Sequence, residues 1–203
     1  MRVRRDALNP GDHIFSDRCK RFYFHHGTVT KLNNEEVEIN DAVIHFMGVG
    51  KSNNQIPCQK CGHSSRRIGV VITCLECFVE GHSLYVYQYD VSYLKLRFKR
   101  SGSCSTKPCK AANEVVEIAF DLLKKQSFGK KYNFLFNNCE DFATYCKMGV
   151  AQSNQFAGMV FGFGLPGLVG YNAAKGIYQG IDEGETKLST FLWEFFALLI
   201  ELP

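Results

Sequence analysis

Three groups of residues in this chain stand at spacings that could do nucleophilic chemistry. His25-His26-Gly27 lies on an early apolar run, His45 lies on the next, and Asn137-Asn138-Cys139-Glu140-Asp141-Phe142 opens a late amphipathic stretch. A thiol becomes a good nucleophile only when ionised. A helix N-terminus lowers its pKa through the macrodipole, and a neighbouring imidazole accepts or balances its proton. Cys139 meets the first condition by position. It meets the second if a sheet brings His25 under the helix start, with His45 as the third, polarising member of a nucleophile–base–orienter set. On residue types alone a plainer reading stands beside this one: cysteines at helix starts are often buried thiols, and strand histidines are often satisfied core residues.

A second constellation is made of Cys58-Gln-Lys-Cys61 and Cys74-Leu-Glu-Cys77, two C-x-x-C pairs twelve residues apart, with Gly62 following the first pair as in zinc knuckles. Four thiolates so spaced can close a tetrahedral structural zinc site, although the gap is a little short of the usual pattern. Two local disulfides, which a reducing compartment disfavours, and buried thiols are the alternatives. His63 is a spare ligand at best, and Cys19, Cys104, Cys109 and Cys146 read as packing residues.

The elements that must position these groups are legible in outline. Asn9-Pro10-Gly11-Asp12 reads as a turn. Short strands are expected at 13–15, 22–29, 37–39 and 42–46, an antiparallel meander with a polar hairpin loop over 31–36. Residues 48–67 lose periodicity and mark an insertion, so that 48–80 forms a Cys-rich addition to the core. Alternation returns at 84–89 and again at 94–99, where Leu94, Leu96 and Phe98 oppose Lys95, Arg97 and Lys99, a strand with a solvated basic face. A contact of that face with anionic lipid headgroups is the minor alternative. A helix is expected over 113–126 with Asn113 as N-cap, and another from Asn138 to Lys147 with Gly149 as its stop. Strands that precede helices in this way predict an α+β domain, an antiparallel sheet with helices on one side, over residues 1–149.

Gly11-Asp12-His13-Ile14, His25-His26-Gly27-Thr28-Val29, Val43-Ile44-His45-Phe46, Tyr132-Asn133 and Asn137 to Ala143 follow one another in the order seen in the lecithin:retinol acyltransferase and HRAS-like suppressor families, and the chain resembles the plant NC-domain members most. The resemblance implies a circularly permuted papain-like fold of NlpC type. It also implies a cysteine-dependent acyltransferase or phospholipase A-type activity with Cys139 as nucleophile, His25 as base and His45 as orienter. An acyl group taken from a phospholipid would rest on Cys139 as a thioester and pass to an amine, a hydroxyl or water. The Cys139 backbone N–H belongs in the oxyanion hole, because helix starts leave their first N–H groups without intrahelical partners. Within the histidine pair His26 is the alternative to His25, since a one-residue shift of register would turn the other ring to the site. Asp141, where animal members carry His, and Thr28-Val29-Thr30 in place of Ile-Tyr-Val depart from the pattern. A catalytically silent interaction module and an NlpC-type thiol amidase or peptidase are the competing readings.

Composition sets the remaining bounds. At 203 residues, 45% hydrophobic and with 17 Phe, the chain can bury a real core. A net charge of +4, with 24 Lys and Arg against 20 acids, calls for no nucleic acid. The charged start, followed by no apolar run, and an odd count of nine cysteines favour an intracellular, cytoplasmic chain with reduced thiols. Catalysis of the kind described needs no cofactor. Residues 150–203 are apolar and glycine-rich, with candidate helices over 156–178 and 191–200, and point to association with a membrane surface.

Overall fold

The computed structural model describes residues 2–18, 23–33, 38–48, 56–64, 67–99, 102–129, 132–133 and 137–153. The expectations for 156–178 and 191–200, and for Cys19, lie outside these residues. Five strands form one antiparallel sheet: β1 (His13–Arg18), β2 (Tyr23–Asn33), β3 (Glu38–Met47), β4 (Gly69–Cys74) and β5 (Leu84–Val86), in the order β4-β3-β2-β1-β5. The helices are α1 (Leu75–Val79), α2 (Tyr93–Phe98), α3 (Ala112–Lys125) and α4 (Cys139–Met148), and a 3-10 turn spans Arg5–Ala7. None of the described helices is long and apolar enough to cross a membrane.

The two expected strands at 37–39 and 42–46 are one continuous β3, bent against β2 where the register shifts between Thr30 and Leu32. Because side chains alternate along a strand, this sheet has two different faces. Thr28 pairs with Ile44 and with His13, so His13, Phe15, His26, Thr28 and Ile44 share one face. There Ile44, Phe46 and Val70 pack against Val115, Ala119 and Leu122 of α3 and Phe142 and Cys146 of α4. His25, Val29, Val43 and His45 share the other face, where Ile14, Val29 and Val43 meet Leu75 and Phe78 of α1. The longer helices do cover one side of the sheet as expected, but the short α1 covers part of the second. That element escapes a periodicity search because five residues give it barely more than one turn.

Three further expectations are corrected. Residues 94–99 are not a strand: α2 starts on Ser92, whose side chain accepts from the Lys95 N–H, and over six residues an apolar–basic alternation fits a helix as readily as a strand. All its large apolar groups are exposed, Phe98 by 84% and Tyr93 by 78%. α3 begins at Ala112, and its cap position falls on Ala111, two residues before Asn113, without a side-chain hydrogen bond. Cys109 is exposed rather than packed, whereas Cys104 and Cys146 are buried.

Gly27 shows how closely the second face is filled. A Cβ there would stand 2.5 Å from Val43 Cγ1 and 2.9 Å from Phe78 Cε2, with the His45 Cβ at 3.2 Å. Gly27→Ala should therefore destabilise the chain by about 1–3 kcal/mol through overpacking, read as a lower urea midpoint; an unchanged midpoint would show that this face can give way.

Candidate functional site

The first turn of α4 is fixed by a capping box. Asn138 Oδ1 accepts from the N–H groups of Glu140 at 2.8 Å and Asp141 at 3.2 Å, and Asp141 Oδ2 accepts in return from the Asn138 N–H at 3.1 Å. Asn138 Nδ2 donates to Ser153 Oγ at 3.0 Å, and Ser153 Oγ donates to the buried Glu140 carboxylate at 2.9 Å. The cap engages the N–H groups of Glu140 and Asp141, and it leaves Cys139 as the first helical residue, fully buried. The Cys139 thiol lies 3.6 Å from the carbonyl oxygen of Phe24, and the Tyr132 hydroxyl lies 3.9 Å from the sulfur. That contact is possible because of how the strands end. β1 pairs with β2 from Tyr23 onward, whereas the β2–β3 ladder starts only at Thr28↔Ile44, so the helix terminus approaches β2 beside the segment 24–27.

His25 follows Phe24 directly, and its Nε2 is 2.8 Å from Nδ1 of His45. The rings meet edge-on, 4.8 Å between centroids, with Phe78 packed on both. The far nitrogen of His45 is 3.1 Å from Thr73 Oγ1 on β4. Burial, and secondarily the positive charge of Arg18, push the His25 imidazole down to about 3. The ring is therefore neutral at ordinary pH, the form in which it can accept a proton. His45 is lowered well below its usual value by burial and then by His25.

A second histidine pair occupies the opposite face. His26 Nδ1 is 2.8 Å from His13 Nε2, and His13 Nδ1 is 2.8 Å from the Tyr89 hydroxyl. The His13 ring stacks on Tyr87 at 4.3 Å, and Phe15 stacks on His26. Lys147 from α4 lies over the Tyr89 ring. His26 is completely buried, and its Nε2 has no hydrogen-bond partner among the described residues. Burial holds both rings well below the ordinary imidazole value. The signal for this pair in the sequence is that His13 and His26 fall on the same face of the first two strands once these are paired.

The four cysteines at 58, 61, 74 and 77 converge, with all their sulfur atoms within 4.8 Å of one another. Cys58 and Cys74 are 3.9 Å apart and Cys61 and Cys77 3.7 Å, so none is disulfide-bonded. Zinc–sulfur bonds of about 2.3 Å in a tetrahedron place the sulfurs about 3.8 Å apart, and the Cys58–Cys74 and Cys61–Cys77 separations match that edge length. The loop is drawn tight by Gly62 N–H to Cys58 O at 2.7 Å and Cys58 N–H to His63 O at 2.8 Å. Backbone N–H groups of Cys61 and Lys60 lower the Cys58 thiol to about 7, while burial raises Cys74 to about 11 and Cys77 further. His63 is outside the set; its ring turns toward His45, 6.5 Å away.

The structure thus brings His25 and His45 into direct contact and places Cys139 at the residue preceding His25. It gathers the four cysteines, and it adds Thr73, Phe78 and Tyr132 to the surroundings. The family model described as lecithin retinol acyltransferase matches residues 6–152. A curated relative, Protein LEAD-SENSITIVE 1 of Arabidopsis thaliana, is 34% identical over 163 residues, covering 72% of this chain and 60% of its own length.

Four buried, depressed histidines make stability depend on acid. The unfolded chain takes up protons below about pH 6.5 that the native rings refuse, so the native state keeps its full advantage above that pH. It loses up to about 1.4 kcal/mol per pH unit per histidine as the pH falls from there, for His25 down to its folded value near 3. Urea midpoints should be level from pH 8 to about 6.5 and then decline. A His13→Gln/His26→Gln double variant should decline less steeply; equal slopes would show that these two rings titrate normally.

Proposed function

The chain belongs to the lecithin retinol acyltransferase family, and from that premise we propose that it is a cysteine-dependent acyltransferase or phospholipase A-type enzyme acting on a glycerophospholipid. One observation carries the reading: a neutral imidazole, already held by a second, directly follows the carbonyl against which a helix-start thiol rests. In the first half-reaction His25 takes the Cys139 proton, the thiolate attacks the ester carbonyl carbon and the C–O bond breaks. The lysolipid leaves with the proton returned by His25. In the second, an amine, a hydroxyl or water gives its proton to His25, attacks the thioester and regenerates the thiol. A membrane surface is the natural source of the acyl donor. The match spans about three-fifths of the relative's length, so the activity of the relative as a whole is no guide to the acceptor.

His25 is favoured over His26 as base for two physical reasons. His25 retains 8% exposure while His26 has none, and a base must exchange protons with a substrate. His25 is also oriented by His45, itself anchored at Thr73. Intact-mass measurement after incubation with phosphatidylcholine should show an acyl adduct on Cys139 that Cys139→Ala abolishes without loss of fold. Rate loss should be greatest for Cys139→Ala and His25→Ala, smaller for His45→Gln and least for His26→Ala. Inactivity of His26→Ala beside an active His25→Ala would move the base to the other face. Release of a peptide fragment but no lysolipid would favour a thiol amidase, and a folded chain with no adduct would favour a silent interaction module.

The four-cysteine cluster is read as a structural zinc site, held by Cys58, Cys61, Cys74 and Cys77. Purified chain should contain about one zinc, and a Cys58→Ser/Cys61→Ser variant should lose both the metal and thermal stability. Metal-free chain of unchanged melting temperature would overturn the assignment.

A further inference from the structure

We infer that α2 and the basic segment around it form the surface by which the chain docks on an anionic lipid bilayer, with Leu94 and Phe98 entering the interface and Lys95 and Arg97 lying among the headgroups. The inference rests on the proposed reading in one respect: a glycerophospholipid substrate is what makes a bilayer the expected occupant. It goes beyond that reading by assigning the docking surface to particular residues.

Apolar side chains of a surface helix normally turn toward the core, and in α2 they do not. Phe98 is 84% exposed, Tyr93 78% and Leu94 68%, and the helix has no buried residue. Leu94 and Phe98, four residues apart, stand on one side of the helix, and both line an open groove with Gln88, Lys95 and Lys99. The element is held in place. Ser92 caps its first turn, and Lys99 Nζ donates to Gln88 Oε1. The segment before it is braced by its neighbour: the Gln88 N–H donates to Ser103 O at 3.2 Å, the Ser105 N–H to Gln88 O at 2.8 Å and the Val91 N–H to Ser105 O at 3.2 Å. A contiguous apolar group that a built scaffold turns outward marks an interaction site, unlike scattered single residues.

Charge then selects the occupant. From Val91 to Asn113 the sequence carries six Lys and Arg and no Asp or Glu, in a chain whose totals are 24 and 20. Lys110 pairs with Glu114, whereas Lys95, Arg97 and Lys107 have no ion pair among the described residues. Lys107 is brought beside α2 by the Asp90 N–H, which donates to its carbonyl at 3.1 Å, and the exposed Asp90 carboxylate is outnumbered there. The alternation Leu94-Lys95-Leu96-Arg97-Phe98-Lys99 decides between a bilayer and a protein partner. A protein interface has a core from which charge is depleted, so a partner seated on Leu94 and Phe98 would have to desolvate the cations between them. A bilayer interface is graded. Leucine and phenylalanine reach the acyl boundary, while Lys and Arg lay their stems along apolar surface and keep their charges at phosphate level. Anionic headgroups attract each of those charges. Six residues are too few to span, so α2 would lie in the plane of the surface.

The test uses the full chain and sedimentation with vesicles of phosphatidylcholine alone or of equimolar phosphatidylcholine and phosphatidylserine. Lys95→Gln/Arg97→Gln should weaken binding to the mixed vesicles about 10–30-fold and abolish most of the preference for them over neutral ones. Leu94→Ser/Phe98→Ser should weaken binding to both by at least about 10-fold. Insertion is read directly in Phe98→Trp on a Trp193→Phe background, which removes the one native tryptophan. Its indole emission should shift to the blue on mixed vesicles and be quenched by brominated acyl chains. Both double variants should form the Cys139 acyl adduct at the wild-type rate from a monomeric short-chain phosphatidylcholine and more slowly from vesicles. An unquenched indole, or vesicle binding by both variants equal to wild type, would overturn the inference even where the adduct forms and the proposed chemistry stands. Vesicle binding that neither variant alters, beside self-association or oligonucleotide binding that one of them abolishes, would give the patch to another occupant. Should the wild type form no adduct from either substrate, the proposed function fails, and the vesicle and quenching measurements still decide the docking surface.

Discussion

A buried thiol at a helix start meets a strand histidine only if the helix is driven end-on against that strand, and in this chain the candidate site depends on the approach of α4 to β2. The capping box of Asn138 and Asp141 terminates α4 without spending the face of the first turn on further chain. Cys139 then meets the Phe24 carbonyl, where β2 is paired with β1 and not yet with β3. Were the β2–β3 ladder continuous to the start of β2, that edge would be closed by another backbone. The late onset of pairing is therefore as much a part of the site as the thiol.

Surroundings, and not burial, then distinguish the two histidine pairs. Both pairs are neutral for the same reason, desolvation of the charged form. They differ in what surrounds them. His13 and His26 are packed among Phe15, Phe24, Tyr87 and Tyr89, an aromatic setting in which His26 Nε2 finds no partner among the described residues. His25 and His45 share a ladder of polar atoms that continues to Thr73 on the next strand. Adjacent residues of one strand thus serve different faces of the sheet.

Much of this was readable in the sequence where the cause is local. The α4 cap and its Gly149 stop in the left-handed region are short-range patterns, and the family resemblance singles out His25, His45 and Cys139 as candidates on the elements so marked. The cysteine cluster is readable for the same reason, since each C-x-x-C pair is its own turn. What was not legible depends on register between distant segments. β4, Gly-Val-Val-Ile-Thr-Cys, has no alternation to announce it, and the meeting of Thr73 with His45 exists only in the β3–β4 pairing. The basic and apolar residues of 94–99 carry a period that six positions cannot decide, and the chain forms α2 there, started on the Ser92 cap. Asn113 is not the cap because the extended residue at the helix start is Ala111, two residues earlier.

The contact between Cys139 and Phe24 joins residues 115 positions apart, while the cysteine cluster closes within twenty. Closing a longer loop costs more chain entropy and contributes to slower folding. A chain emerging from the ribosome has the material for its sheet and its thiolate clamp well before α4 is made. The histidine face is thus assembled on short-range contacts, and the Cys139 thiol is the last component to reach it.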